Sequence, residues 1–327
     1  MLIPLLLAVL PASVVLAQKN TILMSVLNSR QHQWGKEDNP VIGIFSSSDA
    51  GVTWQHLGWR EYIRTFYTEA GPDGTIWSAC GNGVLRSTDG GASWRVTTGW
   101  NVTEVLKIKV DPSNPRRVYA TTAYGLIAST DRGETWRYRM HGVARRFTSD
   151  VCIDGRNTKN LLLATELGVF RSTSAGERWV PTGLAATDTR TIIQDPANPR
   201  VFWAGTEDRG VWQSMDGGKT WKMSNAGLGH LTIYSIAIEQ PGGRLYLGTH
   251  GGGVYRSSDR GATWQQSSRG MEILDVHTLT VHPQHPGIVF AGTLNGGLYQ
   301  STDHGDSWRF NSQPDAQIWG LWWGKNE

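Results

Sequence analysis

Short runs in which apolar and polar residues alternate recur along the whole chain, and no window of comparable length has helical periodicity. "TEVLKIKV" (103–110) and "LTIYSIAI" (231–238) are typical. Each such run leads into a turn ("DPSNP", "DPANP", "PGG" or "HPQHPG") and then a β-rich run ("RVYATT", "RVFWAGT", "RLYLGT" or "IVFAGT"). A Gly-containing turn follows, then a third run such as "GLIAST", "GVYRSS" or "GLYQST". Period-2 alternation bounded by Gly, Pro and Asn predicts strands.

The third run always ends in the same octet: "SSDAGVTW", "STDGGASW", "STDRGETW", "STSAGERW", "SMDGGKTW", "SSDRGATW" and "STDHGDSW". The third positions are Asp49, Asp89, Asp131, Ser174, Asp216, Asp259 and Asp303, separated by 40, 42, 43, 42, 43 and 44 residues. Even spacing means one supersecondary unit copied seven times. With a fourth run beginning at the Trp, the unit has four strands. Seven such units predict an all-β fold, a seven-bladed β-propeller of four-stranded antiparallel blades.

The octet reads as the turn between the third and fourth strands. Its Asp can accept hydrogen bonds from turn N–H groups, and its Gly supplies a positive φ. The Trp covers the turn. Ser174 marks a degenerate copy that still turns. The ends fit the same unit. "TILMSVL" (21–27) matches a second strand and "VIGIFSS" (41–47) a third, so the first blade lacks its innermost strand. "AQIWGLWW" (316–323) matches an innermost strand without a blade, and it is predicted to join blade 1 and close the ring. Closure removes an exposed sheet edge.

These octets are Asp-boxes, and residues 18–327 resemble the Asp-box (bacterial neuraminidase) repeat propellers. Single seven-bladed rings of this kind resemble the photosystem II assembly factors and, more distantly, the sortilin ectodomain. They are also similar to single rings of xyloglucanase-type glycosidases. The resemblance implies that the boxes are structural and lie away from the functional face.

Composition narrows the field. Of the 39 Gly and 16 Trp among the 327 residues, seven Trp and at least seven Gly are explained by the octets as scaffold. A net charge of +3 without a Lys/Arg run excludes the dense basic stripe that nucleic-acid binding requires. The apolar stretch 2–17 is short for a membrane span. It reads as a signal peptide cleaved near Ala17, which predicts export to the periplasm or the extracellular space with no stable span afterwards. Cys80 and Cys152 fall in different blades and are expected to be buried free thiols.

Ligands of propellers usually meet the face built by the loops that lead into the inner strands. That face carries Tyr62 and Arg64 in blade 2, Glu104 in blade 3, and Arg145 and Arg146 in blade 4. It carries Asp188 and Arg190 in blade 5, Tyr234 in blade 6, His277 in blade 7 and Trp319 in the closing strand. The loops between second and third strands add Glu166, Glu207, Asp208 and His250. Side chains that vary while the framework repeats suit a site grafted on a symmetric scaffold.

The expected ligand-binding residues are Arg64, Arg145, Arg146, Arg190, Tyr62, Tyr234, His277 and Trp319. Arginines near aromatic residues predict a non-catalytic binding or assembly surface for a protein or peptide, with a polysaccharide as the alternative, on a monomer. Glycoside hydrolysis needs two carboxylates about 5–9.5 Å apart, and Glu104, Asp188, Glu166 and Asp208 are the candidates. The Arg-Ile-Pro motif of sialidases is absent, and one ring supplies half of a xyloglucanase cleft. No cofactor loop appears. His282 and His285 occupy the place of "DPSNP" in a sister blade and read as turn residues, so no metal site is expected.

Overall fold

A computed structural model describes residues 21–31, 41–58, 63–144 and 147–324. The signal segment, its cleavage point, Tyr62, Arg145 and Arg146 lie outside the described residues. The described chain forms seven antiparallel four-stranded sheets arranged as blades around a ring. The tail strand Ala316–Trp323 is the innermost strand of blade 1 and pairs with Ile22–Ser29, with Ile22 opposite Trp323 and Ser29 opposite Ala316. The ring is therefore closed by joining its two ends.

Each blade's core is built from the alternation seen in the sequence. The second strands are buried along both faces, as in Val118–Thr122 and Phe202–Thr206. Most fourth strands are two residues long and exposed, as in Arg95–Val96; that of blade 4 runs over Val180–Ala185. They begin one residue after the box Trp rather than at it, as at Gln55 after Trp54.

Adjacent inner strands are laced by side chains that accept backbone N–H groups of the next blade. Glu69 accepts from Val110 at 2.6 Å and Asp150 from Ile192 at 3.1 Å. Ser235 accepts from Leu279 at 2.9 Å and Thr278 from Leu321 at 3.2 Å.

The boxes have one geometry. In blade 3, Asp131 Oδ1 accepts the Thr135 N–H at 2.9 Å and Oδ2 accepts the Thr135 hydroxyl at 2.6 Å. Ser129 donates its hydroxyl to Asp131 at 2.8 Å and accepts the Gly133 N–H at 2.7 Å. The Thr135 hydroxyl first, then the Thr135 N–H, hold the Asp131 carboxyl down to about 2. The carboxyls of Asp49, Asp89, Asp216, Asp259 and Asp303 also lie near 2. In blade 4 the turn persists with one oxygen where the others have two: Ser174 Oγ accepts the Arg178 N–H at 3.1 Å.

The box does more than turn. In several blades its Gly and Trp also lock the blade to the preceding one. A Cβ on Gly261 (φ +84°) would lie 2.1 Å from the ring of Trp203 in the blade before. Trp179, Trp264 and Trp308 each donate their indole N–H to a carbonyl of the preceding blade, at Arg139, Ser224 and Ser267, all at 2.7 Å.

The two cysteines are free. Cys80 is buried, and burial raises its thiol to about 11. Cys152 departs from expectation: it is half-buried, packed at the edge of a core cluster.

A candidate binding site at the mouth of the ring

Every inner strand carries a register shift at the same place. The pairing steps from Thr65 to Tyr67, Val105 to Lys107, Thr148 to Asp150, Thr189 to Thr191, Ile233 to Ser235, and Val276 to Thr278. The closing strand steps over Trp319, between Gly320 and Ile318. Each shift is a β-bulge that leaves one residue out of the ladder and re-aims its side chain. In ring order the bulged residues are Trp319, Phe66, Leu106, Ser149, Arg190, Tyr234 and His277. All seven are partly exposed. They lie near the starts of the inner strands, at the end of the blades opposite the boxes.

Four of the seven were candidates from sequence: Arg190, Tyr234, His277 and Trp319. Phe66, Leu106 and Ser149 were not. The signal, clearest in three of the seven strands, is a change in apolar spacing. Buried Val105, Ile108 and Val110 are three and then two residues apart, and so are Ile233, Ile236 and Ile238, and Ile318, Leu321 and Trp323. Strict alternation would have kept the spacing at two; the extra residue is the bulge.

The bulged side chains divide the mouth in two. One half is an aromatic arc spanning four consecutive blades. Tyr234 meets His277 with ring centroids 5.0 Å apart, His277 meets Trp319 at 4.1 Å, and Trp319 meets Phe66 edge-on at 5.1 Å. Burial, then the Lys107 charge across the channel, pull His277 down to about 3, so its imidazole is neutral at physiological pH. Outside the arc, His250 stands 2.8 Å from Asp275 and edge-on to Tyr234.

The other half is ionic. Arg190 donates through Nε to Glu207 at 2.6 Å and approaches Asp188 at 3.3 Å, with its guanidinium 5.6 Å from the Phe147 ring. Burial raises the Asp188 carboxyl, Arg190 lowers it, and Glu207, Glu166 and Asp208 raise it again. Asp188 Oδ1 is buried without a hydrogen-bond partner. Glu207, Glu166 and Asp208 thus all act on Asp188. Glu104 stands apart: it is exposed on the rim with a φ of 52°, its N–H on the Gly81 carbonyl at 2.9 Å. Arg64 is exposed where the chain leads into the inner strand of blade 2. Arg190 stands at the mouth, with its charge already matched by two carboxylates.

His282 behaves as the turn reading requires. Its Nδ1 accepts the N–H groups of Gln284 and His285 at 3.0 and 3.1 Å, as Asp111 accepts that of Ser113 at 2.9 Å in blade 3. Among the described residues no group of three His, Cys, Asp or Glu side chains could hold a metal ion. No helix among them is long and apolar enough to cross a membrane.

No protein-family model matches the chain. Xyloglucanase Xgh74A of Acetivibrio thermocellus is 29% identical over 162 residues, 36% of this chain and 19% of the xyloglucanase. This chain therefore matches about a fifth of that relative's length. Among solved structures, the GH74 enzyme of Niastella koreensis superposes with a TM-score of 0.71 at 14% identity, covering 92% of this chain and 53% of the enzyme. YCF48, solved with a bound D1 peptide, superposes with a TM-score of 0.56 at 16% identity, covering 77% of this chain and 87% of YCF48. These likenesses meet on the fold: the chain is a single seven-bladed β-propeller, similar both to one ring of a glycosidase and to a peptide-binding propeller.

Proposed function

We propose that the chain is an exported, non-catalytic propeller, residues 18–327, that binds a protein or peptide partner at its upper mouth. In this reading residues 1–17 are a signal peptide cleaved near Ala17, and the mature protein works as a monomer in the periplasm or outside the cell. The observation that carries it is the aromatic arc of Tyr234, His277, Trp319 and Phe66, faced by Arg190. Aromatic and Arg side chains dominate the energetics of protein interfaces, the aromatics by burying much area and Arg by its fork of donors. Exposed Arg64 belongs to the same surface, and the sequence assigns Tyr62, Arg145 and Arg146 to it as well. The D1 peptide bound to YCF48 supports a peptide-sized ligand for such a ring.

One observation favours a second reading, a glycoside hydrolase or carbohydrate-binding ring. Asp188 has a raised carboxyl beside Glu207, as a general acid beside a second carboxylate would. Against it, Arg190 engages both carboxylates, and the xyloglucanase match covers a fifth of that enzyme.

The test is a glycan-substrate screen beside a pull-down, using the wild type and an Arg190→Met/Tyr234→Ala double variant. The proposal expects no turnover of sialosides or β-glucans and a partner recovered by the wild type alone. Turnover that vanishes in Asp188→Asn would replace it with the hydrolase. Equal recovery by both baits would remove the mouth from the function.

A further inference from the structure

One residue below the bulges, Lys107 projects from the inner strand of blade 3 toward the channel. Its ammonium lies 4.0 Å from the centroid of the Tyr67 ring. Among the described residues it makes no hydrogen bond or ion pair. The nearby acids are committed elsewhere. Glu69 pairs with Lys109 at 3.0 Å and accepts the Val110 N–H. Asp150 accepts the N–H groups of Val151 and Ile192 at 2.8 and 3.1 Å and the Thr191 hydroxyl at 3.2 Å. Burial lowers the pKa of Lys107; Asp150 and Glu69 draw it back up without contacting it and Lys109 lowers it further, so its charged form stays poorly solvated where it sits.

Two further polar atoms belong to the arc above it. Trp319 Nε1 and His277 Nδ1 are both buried and have no hydrogen-bond partner. A buried polar atom without a partner is costly. A desolvated ammonium and an indole N–H lack only acceptors, and a carboxylate supplies acceptor oxygens with the charge the ammonium lacks. Phosphate is bulkier and carries more charge than one ammonium can match, since Arg190 is already paired.

We propose that the throat beneath the aromatic arc is a carboxylate site. Lys107 holds the carboxylate, and the Trp319 and Phe66 rings hold the flat apolar group attached to it. The inference rests on the mouth being the binding face, and it names the chemistry the partner inserts there: an acidic group of a peptide carried next to a ring or other flat apolar face.

Benzoate is the minimal probe and benzamide its neutral match, so no cellular partner is needed. Binding of each is measured by ligand-observed NMR to the wild type, Lys107→Met and Asp131→Ala. Acetyl-Gly-Phe with a free carboxylate, its amide, and glucuronate are then compared on the wild type. Lys107→Met keeps the aliphatic stem, and a thermal melt confirms that it folds. We expect benzoate to bind the wild type at least about tenfold better than benzamide. Lys107→Met should abolish the difference, and Asp131→Ala should retain it. The free peptide should bind and its amide should not. Equal binding of benzoate and benzamide, or selectivity that survives Lys107→Met, overturns the site. Glucuronate binding while both peptides are refused overturns the peptide assignment. Benzoate selectivity with no partner recovered by pull-down would instead leave the throat site standing while the partner-binding reading fails.

Discussion

The two ends of the ring obey opposite rules. At the box end, six Asp side chains repeat one set of hydrogen bonds, and the seventh position keeps the turn with Ser174. At the mouth, seven bulges place Trp, Phe, Leu, Ser, Arg, Tyr and His at equivalent positions. The backbone is as regular at one end as at the other; only the side chains differ. Repetition serves where every blade must grip its neighbour in the same way. In the proposed reading, variation serves where seven positions converge on a single ligand. Chemistry is to be sought where a symmetric frame presents unlike side chains.

The comparison breaks most severely if the ring is opened. Removing residues 316–327 takes away a whole strand with buried Ile318, Leu321 and Trp323. At about 1.5–3 kcal/mol per large buried side chain, roughly 5–9 kcal/mol is lost. That rivals the whole stability of a domain, about 5–15 kcal/mol. The truncated chain should show no cooperative melt, and one that melts as the wild type does would contradict closure.

Next in size is Gly261→Ala, which sets a Cβ into the Trp203 ring at a left-handed φ. Overpacking and backbone strain together should cost about 2–4 kcal/mol in urea unfolding. Asp131→Ala removes two acceptors from an exposed turn and should cost about 1–2 kcal/mol. The same carboxyls give a pH signature. Their folded pKa near 2 lies below the ordinary 3.8, so their contribution is complete above about pH 4 and is lost as pH falls toward 2. The melting temperature should fall across that window, with a smaller fall in Asp131→Ala. Smallest is a gain: Ser174→Asp restores the second acceptor in blade 4 and should stabilise by less than about 1 kcal/mol.

The sequence carried the frame far better than the site. Octets every 40 to 44 residues counted the blades, and the mismatch between "TILMSVL" and "AQIWGLWW" identified the closing strand. A repeat of that kind is legible because each copy obeys the same turn chemistry. The locking of Gly261 onto Trp203 was hidden because it joins residues from different blades. The bulges were hidden differently. No Gly or Pro announces them, and Lys107 reads as one polar member of "VLKIKV" until the register shift places it in the channel. Counting arginines misled in part, since Arg190 proved to be matched by Asp188 and Glu207.

The most direct measurement of the division between the two ends is partner affinity, by calorimetry, for two variants compared at a temperature where both are fully folded. One is altered at a bulge, Tyr234→Ala, and the other at a box, Asp131→Ala. Tyr234→Ala should lose at least about tenfold in affinity, as for an interface anchor, and Asp131→Ala should keep wild-type affinity. Wild-type affinity in Tyr234→Ala together with a loss in folded Asp131→Ala would contradict that division, and would move the binding face to the boxes.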